Sequence, residues 1–397
     1  VQEDAPRLTA ELIVDGALPR QPVISPDGRW VAYIVVPVGQ PPERRLGALW
    51  AAAADASSPP RPLTAGTAMD STPRWAPDSG SLFFTSDRTG SVQLHRIGLD
   101  GAAPQALTNW DGGIPGHYPL AGARLVAVIA QDEPTQEDKR RSAERDDAQV
   151  YGKRVPRHRL WLLDLGTREL RLVDGLGDRH VTELAQRPDG GPLAVISWPT
   201  PDIDPSITGN ELHLVDPQTG AVRDLGRVET DAHSPAWWSS DGGWHLAYLA
   251  RPGELGGDAV CDLRMPAGGT AVGGTAVDGT VPAAAERRNL TEGMTVCPAG
   301  LAQTGDGPPL ALFADGLDTV IYRLDPGVQR FQRLMGAGVS DWGMLVATGE
   351  AGTLEAELGG SSSSTRARDM GSRSVTISST CSGVCARGSA AGLVIRR

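Results

Sequence analysis

A serine hydrolase lifts its nucleophile on a sharp Gly-x-Ser-x-Gly turn and needs a histidine base with a carboxylate to orient it. No such pentapeptide occurs in this chain of 397 residues. Gly359-Gly360-Ser361-Ser362-Ser363 lacks the final glycine, and Gly388-Ser389-Ala390-Ala391-Gly392 places its serine one position early. His95, His213 and His245 fall inside apolar runs that read as strands, where a satisfied or surface-facing imidazole is expected. His117, His158, His180 and His233 lie in connecting segments with no serine or cysteine in an activated context. The sequence nominates no catalytic residue.

Metal and cofactor chemistry leave no signature either. Cys261, Cys297, Cys381 and Cys385 lack zinc or redox spacing and read as free thiols. Phosphate-loop, dinucleotide and His-Glu-x-x-His patterns are absent. Asp27, Asp78, Asp189 and Asp241 each offer one carboxylate per turn, whereas a calcium loop packs several oxygen ligands into one short segment. No metal-ligating or cofactor-binding residue is expected.

Those aspartates instead mark a repeat. Ser25-Pro26-Asp27-Gly28-Arg29-Trp30-Val31-Ala32-Tyr33 returns as Ala76-Pro77-Asp78-Ser79-Gly80-Ser81-Leu82-Phe83-Phe84, as Arg187-Pro188-Asp189-Gly190-Gly191, and as Ser239-Ser240-Asp241-Gly242-Gly243-Trp244. Weaker copies begin at Ala121-Gly122 and Gly305-Asp306-Gly307. In these turns Pro presets φ, Asp bonds its own backbone two residues on, and Gly takes positive φ at no steric cost. Each turn leads into an apolar run, a second run ending near an acidic turn, and a short closing segment such as Arg61-Pro62-Leu63-Thr64, Gln105-Ala106-Leu107-Thr108 or Arg288-Asn289-Leu290-Thr291. Runs of four to six apolar residues bounded by Gly, Pro, Asp and Ser are strand signals, and no long 3.6-residue periodicity competes with them. The fold class is all-β: a β-propeller of four-stranded blades, with six units visible and an incomplete seventh. Trp30, Phe83, Val126, Val195, Leu246 and Leu312 are expected on corresponding buried strands.

A net charge of −11 argues against a nucleic-acid partner, which would require a basic stripe. No apolar run approaches a membrane span, so no membrane partner is expected. Residues 1–7 lack a basic start followed by an apolar core, which points to a cytoplasmic chain, although a mature exported chain would look the same. Two insertions interrupt the repeat. Gln131 to Pro156 is densely charged and reads as a solvated loop or short exposed helix; Gly253 to Glu286 is rich in Gly, Ala, Thr and Val and reads as flexible. Asn289-Leu290-Thr291 matches a glycosylation acceptor by chance, since it coincides with a closing strand.

From about Leu8 to about Leu345 the chain resembles the N-terminal β-propeller of the prolyl oligopeptidase family of serine peptidases, closest to its acylaminoacyl-peptidase and dipeptidyl-peptidase-like bacterial branches. The resemblance rests on Ser25 to Tyr33, on Trp75-Ala76-Pro77-Asp78 with Phe83-Phe84-Thr85-Ser86-Asp87-Arg88, and on Glu144-Arg145-Asp146-Asp147-Ala148 leading into Arg159-Leu160-Trp161-Leu162-Leu163-Asp164. TolB-like propellers share the turn-plus-strand repeat; the charged insertion favours the peptidase family. The resemblance implies a propeller that caps an α/β-hydrolase domain and admits only short peptides. It also implies that the hydrolase follows in sequence, and the motif for it is missing. The expected function is thus the non-catalytic, substrate-gating propeller of such a peptidase, meeting short peptides through a hydrolase domain this chain lacks. The alternative is a stand-alone TolB-like propeller that binds a protein or peptide.

The expected organisation is a lead-in over residues 1–20, a propeller over 21–346 and a tail over 347–397. The tail is rich in Ser, Gly and Arg without periodicity, so disorder is expected. Its Arg, Ser, Gly and Ala bias is also that of GC-rich coding DNA read out of frame.

Overall fold

The Pro-Asp-Gly turns join the first and second strands of each blade, and the aspartates serve the turns themselves. Asp27 Oδ1 accepts from the Arg29 N–H at 3.1 Å, Asp78 Oδ1 from Gly80 at 2.9 Å and Asp189 Oδ1 from Gly191 at 2.9 Å. Gly28 and Gly190 take the positive φ that the reversal demands.

The computed structural model describes residues 9–10, 14–39, 45–122, 124–146, 155–202, 209–253, 257–265, 287–316 and 318–337, with the backbone of five short strands beyond 344. It is a β-propeller of six four-stranded antiparallel blades. Blade 1 holds β1 (Ala17–Ile24), β2 (Trp30–Pro37), β3 (Ala48–Ala53) and β4 (Arg61–Pro62). Blade 2 holds β5 (Asp70–Trp75), β6 (Ser81–Ser86), β7 (Gln93–Gly98) and β8 (Gln105–Ala106). Blade 3 holds β9 (Gly116–Pro119), β10 (Leu125–Gln131), β11 (His158–Asp164) and β12 (Leu170–Leu172). Blade 4 holds β13 (His180–Gln186), β14 (Leu193–Trp198), β15 (Glu211–Val215) and β16 (Val222–Arg227). Blade 5 holds β17 (Thr230–Ser240), β18 (Gly243–Arg251), β19 (Ala259–Arg264) and β20 (Arg287–Asn289). Blade 6 holds β21 (Cys297–Thr304), β22 (Gly307–Asp315), β23 (Asp318–Asp325) and β24 (Arg330–Ala337).

First strands touch one another around the ring, β1 with β5, β5 with β9, β13 with β17 and β17 with β21, so they surround the axis. The core is a series of slabs between blades rather than one central mass. Phe83 and Leu94 face Val126, Val128 and Leu163 between blades 2 and 3, and Ile196, Leu212 and Leu214 face Trp237, Leu246 and Tyr248 between blades 4 and 5. A second strand is covered on both faces, which is why its sequence is a continuous apolar run rather than an alternation. All six residues expected on corresponding strands lie on second strands; five are buried, and Trp30, the first residue of β2, is half-buried.

The closing segments end in a latch. Thr64, Thr108 and Thr291 follow β4, β8 and β20, and each Oγ1 accepts the N–H of a third-strand residue: Leu49 at 2.8 Å, Leu94 at 3.0 Å and Val260 at 3.2 Å. Asn289 Oδ1 accepts from the Thr291 N–H and hydroxyl, so its side chain is committed to this turn.

Three features differ from the sequence expectation. The repeat unit starts one strand before the turn, so β1 begins at Ala17, inside the expected lead-in. The insertion from Gly253 to Glu286 contains β19, whose Cys261 is buried; the rest of it beyond Met265 lies outside the described residues. Its Ala-Val-Cys-Asp-Leu-Arg is short and flanked by Gly-rich sequence, so the apolar signal was diluted. Within the tail, β25 (Leu345–Ala347), β26 (Leu354–Ala356), β27 (Ser364–Arg368), β28 (Ser374–Ser378) and β29 (Leu393–Arg396) pair in the order β25-β26-β29-β28-β27, and β25 contacts both β21 and β1. The remaining tail residues, and Cys381 and Cys385 with them, lie outside those described. The Gln131 to Pro156 insertion carries α1 (Gln136–Ala143), which has no buried residue and opens with a Thr135–Asp138 capping box.

Candidate functional site: the axial ring and the loop side

The first strands are irregular for a physical reason. Gln21, Thr72 and Ser234 have φ of 54°, 48° and 52°, and each is followed by proline within a register shift. A non-glycine residue rarely adopts such φ, so other bonds must hold it there. Gln21 Oε1 accepts the Thr72 N–H at 2.8 Å, and Glu183 Oε2 accepts the Ser234 N–H at 2.7 Å, each bond crossing from one blade to the next. The indoles of Trp75 and Trp237 donate across the same two boundaries, to Val23 O and Ala185 O.

The first strands also carry polar and aromatic side chains that meet across blades. Arg74 on β5 is exposed, and its guanidinium lies 4.1 Å from the centre of the Tyr118 ring on β9. Burial pushes the Tyr118 phenol up, and Glu183 on β13 adds to the shift. His117, beside Tyr118, is buried; desolvation, aided by the Arg74 charge, lowers its pKa to about 3 and keeps it neutral.

Two Ser-His-Asp sets emerge that the sequence had not brought together. Ser197 Oγ lies 2.9 Å from His213 Nε2, and His213 Nδ1 lies 3.6 Å from Asp224 Oδ1. In blade 5, Ser240 Oγ lies 3.2 Å from His245 Nε2, and His245 Nδ1 lies 2.9 Å from Asp262 Oδ2. The first set offers no working nucleophile. Ser197 is 0% exposed, and its Oγ also accepts from Arg179 Nε at 2.7 Å. Desolvation lowers His213 to about 4, below the range of a base poised for neutral pH. Asp262 is buried and also accepts the Trp238 indole N–H at 2.9 Å, so the second set fastens blade 5 together.

Glu211, His213 and Asp224 have ligand atoms within 4.8 Å of one another. However, Arg179 Nη1 sits 3.1 Å from Glu211 Oε1, where a cation would meet a guanidinium. The signal for this cluster was an i, i+2 pair on β15 with Asp224 directly opposite His213 on β16. Of the other histidines, His180 accepts the His158 N–H at Nδ1 over 3.0 Å with the rings stacked at 4.4 Å, and burial lowers it to about 4. His233 Nδ1 lies 3.0 Å from Ser234 Oγ on the axial ring.

The connections between second and third strands emerge on the side opposite the Pro-Asp-Gly turns. There a cavity of about 430 Å³ opens between blades 3 and 4, with Asp132, Arg159, Asp178 and Arg179 at its polar margin and Trp161 and Leu176 among its apolar lining. Arg159 bridges Asp132 at 3.1 Å and Asp178 at 3.0 Å. The cavity's charged groups are thus largely spent on one another.

No family model matches the sequence. Over 92% of its length the chain superposes on 52% of the acylaminoacyl peptidase of Pyrococcus horikoshii, with a TM-score of 0.58 and 12% identity. The shared fold is a β-propeller. The β-propeller domain of the Trilobed protease from Pyrococcus furiosus, which has an open velcro topology, matches over 91% of this chain and 97% of its own, with a TM-score of 0.56 and 11% identity. In sequence, the chain is 28% identical over 143 residues to the uncharacterized peptidase YuxL of Bacillus subtilis, covering 35% of this chain and 21% of that protein. It is 38% identical over 56 residues to the Tol-Pal system protein TolB of Bordetella pertussis, 14% of this chain and 13% of that one. The chain therefore spans about half of the acylaminoacyl peptidase and smaller parts of the curated relatives. Among the described residues no helix is long and apolar enough to cross a membrane.

Proposed function

We propose that this chain is the non-catalytic, substrate-gating propeller of a prolyl-oligopeptidase-family serine peptidase acting on short peptides. The observation that carries the reading is one of extent: nearly the whole chain corresponds to one half of a peptidase. A ring of strands restricts access by size, and here its first strands are tied together between blades 1 and 2 and between blades 4 and 5. The partner of this propeller is an α/β-hydrolase domain, and its ligands are short peptides.

Fusion to the hydrolase domain of an acylaminoacyl peptidase tests the reading. The hydrolase alone should cleave long and short peptides, and the fusion only short ones. Equal cleavage of long peptides by both would refute it. The shared segment with TolB favours a second reading, a propeller that binds a protein across its face. That reading gains if the fusion restricts nothing.

A further inference from the structure

We propose that Arg74 and Tyr118 form a carboxylate-binding station on the axial ring, which takes the free C-terminal carboxylate of a short peptide. The inference rests on the peptide-gating reading and specifies the ligand group. Arg74 projects from β5, the strand of blade 2 nearest the axis, and is exposed. Among the described residues it has no ion pair or hydrogen bond; its contact is the face of Tyr118, 4.1 Å from the ring centre. Arg88 in the same blade shows the contrast, being tied to the buried Asp70 at 2.7 Å.

An aromatic face attracts a guanidinium without consuming its N–H donors. The ring therefore positions the fork while leaving its edge open to a planar, bidentate acceptor, for which a carboxylate is the matching group. Tyr118 is itself held by packing, being half-buried against the core cluster that includes Leu120 and Leu184. Glu183 on β13 accepts the Ser234 N–H at Oε2 and so is held in contacts between blades 4 and 5. A single carboxylate suits the site better than a polyanion, which the chain's net charge of −11 would repel.

The test uses the full chain and two probes, the tripeptide Ala-Ala-Phe and its C-terminal amide, titrated by NMR into wild type, Arg74→Gln and Arg74→Lys. The acid should bind at least about threefold more tightly than the amide, a modest ratio because the site is solvated. Arg74→Gln should abolish that ratio without changing amide binding, and Arg74→Lys should retain only part of it. Melting temperatures equal to wild type would show that both variants fold. Equal affinity for acid and amide in wild type, or an undiminished ratio in Arg74→Gln, would overturn the station while leaving peptide gating intact. Binding of neither peptide would overturn both.

Discussion

The indole N–H of Trp75 donates a 3.0 Å hydrogen bond to the carbonyl of Val23, 52 residues earlier on the neighbouring first strand. Trp237 repeats the bond with Ala185 at 3.1 Å and the same 52-residue separation. Trp237→Phe keeps most of the apolar volume and deletes the donor of this inter-blade bond. It should destabilise the chain by about 1–3 kcal/mol, read as a lower urea midpoint with the blade fold retained by circular dichroism. Trp75→Phe should act in the same direction.

Acid should weaken the fold well before carboxylates titrate. His117, His180 and His213 have folded-state pKa values lowered to about 3, 4 and 4, against 6.5 for the free side chain. Between those values the unfolded chain binds more protons than the native one. Stability is therefore fully present above about pH 6.5 and falls as pH drops toward 3 or 4, at up to about 1.4 kcal/mol per pH unit for each histidine. Thermal melts from pH 7 to 4 should show the decline, and His117→Phe should flatten it if the variant melts cooperatively. An unchanged slope would refute the assignment.

Limited trypsin digestion should cut first at Lys139, Arg140 or Arg145. These residues lie on or just beyond α1, which buries nothing, and their ion pairs with Asp111, Glu137 and Glu144 are exposed and weak. Earlier cleavage within a blade strand would contradict the exposed-helix assignment.

The composition of residues 347–397 leads to a prediction about DNA. Translating the other two frames beyond the Leu345 codon should restore a final blade and then Gly-x-Ser-x-Gly followed by Asp and His. If neither frame does so, the out-of-frame account fails and the second reading of function gains.

The second and third strands were legible because burial on both faces writes an uninterrupted apolar run, as in Ser81–Ser86, where every residue is buried. The closing strands were legible through Leu-Thr, which the latch explains. The first strands were not. Ala17–Ile24 contains two prolines and a shifted register, and so shows neither alternation nor a continuous run. The axial residues were hidden for that same reason, since Arg74 and Tyr118 are 44 residues apart, both on such strands, and nothing local links them. The Ser-His-Asp sets needed cross-strand register, which only the paired strands supply.

The prolines of the first strands bear on what happens to anything that enters the ring. Five of the six first strands contain proline, and β13 alone has none. A strand bordering an open space normally exposes a ladder of N–H and C=O groups that would zip onto any extended chain. Proline removes rungs from that ladder, and the bulges at Gln21, Thr72 and Ser234 turn others aside. The inner wall is thereby made non-adhesive to backbone. On the peptide-gating proposal, a guest in transit would be gripped by its side chains and ends, and would slide rather than become an extra strand.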